Sequence, residues 1–148
     1  MTLTDGFTVT RFIAAPRGLV WDAWTKPEHF SVWFGTEAVE VPLDSLVMDV
    51  RPGGRLAAVM LLPDGNRIDW DGEYRVVEHP SRIEYVLSDQ PLVPGLDPVV
   101  TTFTEVEGGT EVALFQPGYG FSDEQIAATV AGYNSFYDAL EKVVATLA

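Results

Sequence analysis

The chain has 148 residues, of which 47% are hydrophobic and 21% are charged, as is typical of one globular domain rather than a disordered segment. Its 22 acidic and 9 basic residues give a net charge of −13. That charge repels phosphate groups and therefore argues against nucleic acid and anionic membranes as partners. The absence of cysteine excludes disulfides, thiolate metal sites and cysteine nucleophiles.

The sequence also lacks the usual targeting signals. The first ten residues contain no basic and apolar stretch typical of a secretion signal, and no apolar run approaches the ~20 residues of a membrane span. No internal repeat or linker divides the chain. We therefore expect a single domain over residues 1–148, located in the cytoplasm.

The first quarter of the chain predicts one strand followed by two short helices. Residues 7–13 alternate apolar and polar side chains, as in a half-buried strand. Pro16 and Pro27 each suit the first turn of a helix, where the proline nitrogen needs no hydrogen-bond partner. Gly35 is expected to end the second helix.

A long β region follows. Strands are predicted at residues 36–41, 46–51, 55–62, 67–77, 82–88, 99–106 and 110–116, with hairpin turns between most of them. Alternation along 67–77 predicts an apolar face that carries Ile68, Trp70, Gly72, Tyr74 and Val76. The acidic residues of the same strand are expected to face solvent.

The last element is a predicted helix of about 25 residues with one apolar stripe. Ser122 and Gln125 have the spacing of a capping box at its start. One strand, two short helices, hairpin-connected strands and a long helix together predict an α+β fold. Its curved antiparallel sheet of about six or seven strands would wrap around the C-terminal helix and enclose a cavity between them.

Aromatic side chains on the sheet and on the helices are the natural walls of such a cavity. Tyr and Trp also bring polar atoms that need partners, which a ligand can supply. The predicted ligand-binding residues are Trp33, Phe34, Trp70, Tyr74, Tyr85, Phe103, Gln116, Tyr133, Phe136 and Tyr137. Gln116 is expected to help orient the ligand.

A ten-residue loop over residues 89–98 contains three apolar side chains and three prolines. Exposed Leu92, Val93 and Leu96 would be costly in a simple connector. We therefore predict that these three residues form a lid over the mouth of the cavity.

Several segments resemble one known family in their order and spacing. They are RFIAAP at 11–16, VWDAWTKPE at 20–28, WFG at 33–35, DVRPGG at 49–54, GEYRVV at 72–77, RIEY at 82–85 and GGTEV at 108–112. They resemble the domain homologous to the activator of heat-shock-protein-90 ATPase, within the START/birch-pollen-allergen-like (SRPBCC) superfamily. The resemblance implies a helix-grip fold, and it makes a homodimer or a chaperone partner conceivable.

No pattern in the sequence predicts catalytic residues, metal ligands or a cofactor. The leading hypothesis is non-catalytic binding of a small hydrophobic or aromatic ligand, lipid-like or polyketide-like. An alternative is an enzyme of the polyketide-cyclase or isomerase type, for which His29, Glu105 and Asp71 would be the candidate acids and bases. A further alternative is a chaperone-regulating interaction module that acts through the acidic surface.

Overall fold

The computed structural model describes residues 6–35, 39–88, 97–118 and 122–147. Its strands are β1 (Gly6–Ile13), β2 (Val47–Met48), β3 (Arg55–Leu61), β4 (Arg67–Glu78), β5 (Arg82–Ser88), β6 (Val99–Val106) and β7 (Gly109–Pro117). Its α-helices are α1 (Arg17–Thr25), α2 (Pro27–Phe34) and α3 (Asp123–Leu147). Within the described part of the chain, the strands form one curved antiparallel sheet in the order β1-β7-β6-β5-β4-β3-β2. The predicted α+β class and helix-grip fold are confirmed.

The segment before β3 is less regular than the sequence predicts. Residues 36–38 lie outside the described residues, Glu40 forms an isolated bridge to Leu61, and β2 has only two residues. Pro42 precedes a short 3₁₀ helix, Leu43–Ser45. Because proline has no backbone N–H and a fixed φ, it does not continue a strand. Among the described residues, the two predicted strands 36–41 and 46–51 are thus represented only by a bridge at Glu40 and the short edge strand β2, with a helical turn between them.

A β-bulge in β4 changes which side chains face the core. The register shifts between Tyr74, which pairs with Tyr85, and Val76, which pairs with Glu84. Beyond the bulge Val77 packs against the core. The predicted position of Val76 on the apolar face is wrong because the extra residue of the bulge reverses the alternation.

The outer face of β4 agrees with the alternation predicted before the bulge. Its acidic side chains form ion pairs at the surface, namely Arg67–Asp69, Arg55–Asp71 and Arg75–Glu73. Such exposed pairs contribute little to stability. They do pair three of the basic side chains with carboxylates, so that these three arginines already have an anionic partner on the outer face of the sheet.

Helix α3 begins at the predicted capping box. The backbone N–H of Gln125 donates to the Ser122 hydroxyl at 3.2 Å, and the backbone N–H of Ser122 donates to the Gln125 side-chain oxygen at 2.8 Å. These two bonds satisfy amide groups that the first helical turn otherwise leaves without partners.

The two halves of α3 differ in burial. From Tyr137 to Val144 its apolar stripe is buried, with Leu140 at 0% exposure. Before Tyr137 the stripe residues Ile126, Val130, Tyr133 and Phe136 are only partly buried. The C-terminal half therefore anchors the helix, while its N-terminal half lies over a space that side chains do not fill.

Tyr137 and Arg11 hold α3 against the edge of the sheet. The Tyr137 hydroxyl donates a 2.7 Å hydrogen bond to the Val9 carbonyl of β1. The Arg11 guanidinium, 5.4 Å from the centre of the Tyr137 ring, lies 3.0 Å from carboxylate oxygens of both Asp138 and Glu141. Helix α3 packs against β1, α1 and α2.

Candidate functional site: a cavity between the sheet and the long helix

A cavity of about 590 Å³ lies between the sheet, α2 and the long helix α3. This volume is within the range of known small-molecule sites. Its sheet side is contributed by β3 to β7, and its helical side by α1, α2 and α3. The lining residues are Trp24, Trp33, Phe34, Met60, Trp70, Tyr85, Leu87, Ser88, Val99, Leu114, Gln116, Thr129, Gly132, Tyr133, Phe136, Tyr137 and Leu140.

The helical side of the cavity is a set of aromatic rings that fix one another. The Phe34 and Phe136 rings stack at 5.5 Å between centroids, and the Trp24 and Trp33 rings lie 4.6 Å apart. The Trp33 Nε1–H donates to the carbonyl of Ala23 at 2.8 Å. Because ring contacts and this hydrogen bond both restrain Trp33, the helical wall is preorganised rather than formed by loose side chains.

Most polar atoms of the wall already have partners. The Tyr133 hydroxyl donates to the side-chain oxygen of Gln116, and the Gln116 amide donates to the Pro117 carbonyl at 3.0 Å. Together, Gln116 and Tyr133 form a polar corner between β7 and α3. Trp70 is different, because its Nε1 is buried and finds no hydrogen-bond partner in the described part of the chain.

Burial raises the pKa of Tyr137 well above its usual range, an effect strengthened by the neighbouring Tyr133 and opposed by Arg11. Tyr137 therefore stays protonated at physiological pH. The described lining residues include no Asp, Glu, His, Lys or Arg. The described lining thus combines aromatic and aliphatic surface with hydroxyl and amide groups, and carries no formal charge.

The structure brings eight of the ten predicted ligand-binding residues together around this cavity: Trp33, Phe34, Trp70, Tyr85, Gln116, Tyr133, Phe136 and Tyr137. The other two, Tyr74 and Phe103, are 2% and 1% exposed and are outside the lining. Phe103 packs against the rings of Trp21 and Trp24 on α1. The predicted lid residues Leu92, Val93 and Leu96 lie outside the described residues.

Sequence reasoning missed nine lining residues: Trp24, Met60, Leu87, Ser88, Val99, Leu114, Thr129, Gly132 and Leu140. Some could have been found. Leu87 lies two residues after Tyr85 on the same face of β5, and Gly132 interrupts the apolar side of α3 next to Tyr133. A Cβ added at Gly132 would meet no atom within 4 Å, so the missing side chain leaves room in the cavity.

A family model described as "Activator of Hsp90 ATPase homolog 1-like protein" matches residues 14–145. The chain belongs to this family. A comparison with curated protein sequences finds no match.

Solved structures of other proteins, one of them described as AHSA1-like, share the fold. One from Nitrosomonas europaea matches with a TM-score of 0.81 and 21% identity, over 99% of this chain and 97% of its own. The AHSA1-like protein from Aeromonas hydrophila matches with a TM-score of 0.78 and 24% identity, over 96% and 93%. A protein from Rhodobacter sphaeroides matches with a TM-score of 0.80 and 22% identity, over 97% and 93%. At these identities the similarity establishes the fold alone.

The acid and base candidates of the enzyme hypothesis lie away from the cavity of this AHSA1-like domain. His29 on α2 is partly buried but outside the lining, Glu105 is exposed, and exposed Asp71 is paired with Arg55 on the outer face of the sheet. In the described residues, no three His, Asp or Glu side chains are arranged to hold a metal ion. None of the described helices has the length and apolar character needed to span a bilayer.

Proposed function

We propose that this AHSA1-like domain binds a small, largely apolar ligand in the cavity between the sheet and α3, without catalysing a reaction on it. The observation that carries the proposal is the cavity itself, about 590 Å³ in volume and walled mainly by aromatic and aliphatic side chains. Apolar side chains around an unfilled space of this size lack van der Waals partners on one side. A ligand that fills the space supplies those partners.

The burial of α3 supports the same proposal. Its apolar side chains from Tyr137 to Val144 are buried, whereas Tyr133 and Phe136 in its N-terminal half remain partly exposed over the cavity. Exposed aromatic surface that faces a concave space is typical of ligand sites. The polar corner formed by Gln116 and Tyr133 would orient a ligand that is otherwise held by shape and apolar contact.

The wall composition favours binding over catalysis. The described lining lacks a histidine, carboxylate or lysine, which are the groups that most often transfer protons in enzymes. The hydroxyl of Tyr137 is committed to the Val9 carbonyl. A cyclase or isomerase role would therefore have to rely on orientation of the substrate, with little help from acid or base groups of the wall.

The family name offers a second candidate, regulation of a chaperone ATPase. The observation in its favour is the family match over residues 14–145, and the net charge of −13 would favour a basic partner surface. Such an interaction would use the outer surface rather than the cavity. It should survive substitutions that fill the cavity and should be lost when surface acids are reversed to lysine.

Native mass spectrometry of the protein purified from its own host, followed by organic extraction, tests the proposed function. We expect a co-purifying apolar molecule in the wild type and in an Ala131→Leu variant, whose substitution is exposed on α3. The same molecule should be strongly depleted in Gly132→Leu, because Gly132 lines the cavity and has open space around an added Cβ. A molecule retained equally by both variants would place its binding elsewhere and overturn the proposal.

A further inference from the structure

We infer that the cavity selects its ligand by charge and takes up only electrically neutral molecules, such as aromatic esters, ketones, phenols or alcohols. This inference rests on the proposed function and goes further by naming the chemical class of the ligand. It follows from the formal charges of the wall, of its nearest neighbours and of the whole chain.

The described wall offers no charged group to pair with a ligand charge, and Trp70 Nε1 is its one buried donor without a partner. Its described polar groups are hydroxyls, one amide and indoles. These are dipoles, and the Gln116 and Tyr133 groups are already hydrogen-bonded to each other. Moving a carboxylate from water into such surroundings is strongly unfavourable unless a cation or several N–H donors replace its hydration.

None of the nine basic side chains lines the cavity as described, and seven of them are already paired with carboxylates. Arg11 is next to the cavity residue Tyr137, but its guanidinium is paired with the carboxylates of Asp138 and Glu141. Lys26 and five further arginines each lie within 4.0 Å of a carboxylate oxygen. These arginines are Arg51, Arg55, Arg67, Arg75 and Arg82. The net charge of −13 also repels anions before they reach the cavity.

A cationic ligand is the opposite possibility, because aromatic faces attract ammonium groups. The lining contains many aromatic rings but no described carboxylate to neutralise a buried cation. Cation–π attraction offsets only part of the loss of hydration when no counter-charge is present. A neutral ligand avoids this cost altogether and still gains the full apolar contact.

Three ligands that share one naphthalene frame separate these cases. They are methyl 2-naphthoate, which is neutral; 2-naphthoate, which is anionic; and 2-naphthyl-trimethylammonium, which is cationic. Binding to the wild-type protein can be measured by calorimetry between pH 5.5 and 7. Quenching of tryptophan fluorescence gives a second signal, because three of the four tryptophans, Trp24, Trp33 and Trp70, line the cavity.

We expect methyl 2-naphthoate to bind with a Kd that does not change with pH. The acid should bind only in its protonated form, so its Kd should rise about tenfold for each pH unit above its pKa of about 4. At pH 7 the acid should therefore bind about a thousandfold more weakly than the ester. The trimethylammonium compound should bind at least tenfold more weakly than the ester at every pH.

Two results would overturn the inference. One is 2-naphthoate binding that matches the ester at pH 7 or does not vary with pH; the other is tighter binding of the cation than of the ester. Binding of none of the three, the ester included, would instead count against the cavity as a ligand site, and therefore against the proposed function. Loss of ester binding in Gly132→Leu, with retention in Ala131→Leu, places the measured binding in the cavity.

Discussion

Gly132 is the position at which the cavity can be filled with the least damage to the fold. It lies within α3, lines the cavity, and has no atom within 4 Å of an added Cβ. Replacement by leucine should stabilise the protein and at the same time weaken ligand binding. Most substitutions in a ligand cavity lower both the stability of the protein and its affinity for the ligand. A variant that is more stable but binds more weakly would therefore show that the new side chain fills the cavity.

The expected magnitudes follow from local structure. Replacing glycine by leucine in the interior of a helix contributes about 0.8 kcal/mol. Burial of about half of the four new carbon atoms contributes about 1.5 kcal/mol more. We therefore expect a free energy of unfolding about 2 kcal/mol higher and a Tm raised by about 4–8 °C. The new side chain would occupy roughly 100 Å³ of the cavity's 590 Å³.

The assay pairs thermal unfolding with titration of Nile red, an uncharged dye whose emission rises in apolar surroundings. In Gly132→Leu we expect dye affinity to fall at least tenfold, because two or more apolar contacts are displaced. Two control variants separate the filling of the cavity from the other two effects of the substitution, which are higher helix propensity and added apolar surface. Gly18→Ala, at an exposed helical position with open space around it, reports helix propensity alone, and exposed Ala131→Leu reports added apolar surface on the same helix.

Two outcomes would refute this reasoning. Unchanged dye affinity in Gly132→Leu, together with a raised Tm, would mean that the dye binds outside the cavity. A Tm lowered by several degrees would mean that the space beside Gly132 is closed, and that the void described between α3 and the sheet is not available to a ligand.

Three other predictions concern single side chains. Thr101 is fully buried and its hydroxyl has no partner in the described chain. Thr101→Val should therefore raise the free energy of unfolding, measured by urea titration, by about 1 kcal/mol. A decrease of similar size would show that the hydroxyl is hydrogen-bonded. Burial raises the pKa of both Tyr74 and Tyr137. Since the unfolded chain loses these protons near pH 10 and the folded chain keeps them, stability should fall above pH 10 by about 1.4 kcal/mol per pH unit for each tyrosine, and a flat profile in alkaline denaturation would contradict this. Thr129→Lys should strengthen 2-naphthoate binding at pH 7 at least tenfold relative to Ala128→Lys, because only Thr129 lines the cavity, and equal affinities in the two variants would contradict the assigned wall.

Much of the fold was accessible from the sequence because its signals are local. The alternation in β1 and β5, the prolines at the helix starts and the capping box at Ser122 each act within a few residues, and the elements that these signals predict are found. The motifs that resemble the family follow one another along the whole chain in the family's order, and the family match covers residues 14–145. The helix-grip fold was therefore predictable without knowledge of contacts between distant residues.

Local patterns failed where the backbone departs from regular geometry. The bulge in β4 turned Val76 outward and Val77 inward. A Cβ on Gly72 would lie 1.8 Å from the backbone oxygen of Val86, a close approach between strands that periodicity alone does not reveal. A substitution such as Gly72→Leu, which the sequence would suggest for filling the cavity, would therefore disrupt the sheet.

The sequence by itself determined which residue types would face the interior, and thus the aromatic, uncharged character of the space between sheet and helix. Only the tertiary structure decided which of those side chains border an open volume and which are packed. Tyr74 and Tyr85 are paired across neighbouring strands, yet Tyr85 lines the cavity while Tyr74 is buried in the core. The cavity depends on how far α3 lies from each strand, and that distance is set by contacts such as Tyr137 to Val9, between residues far apart in the chain.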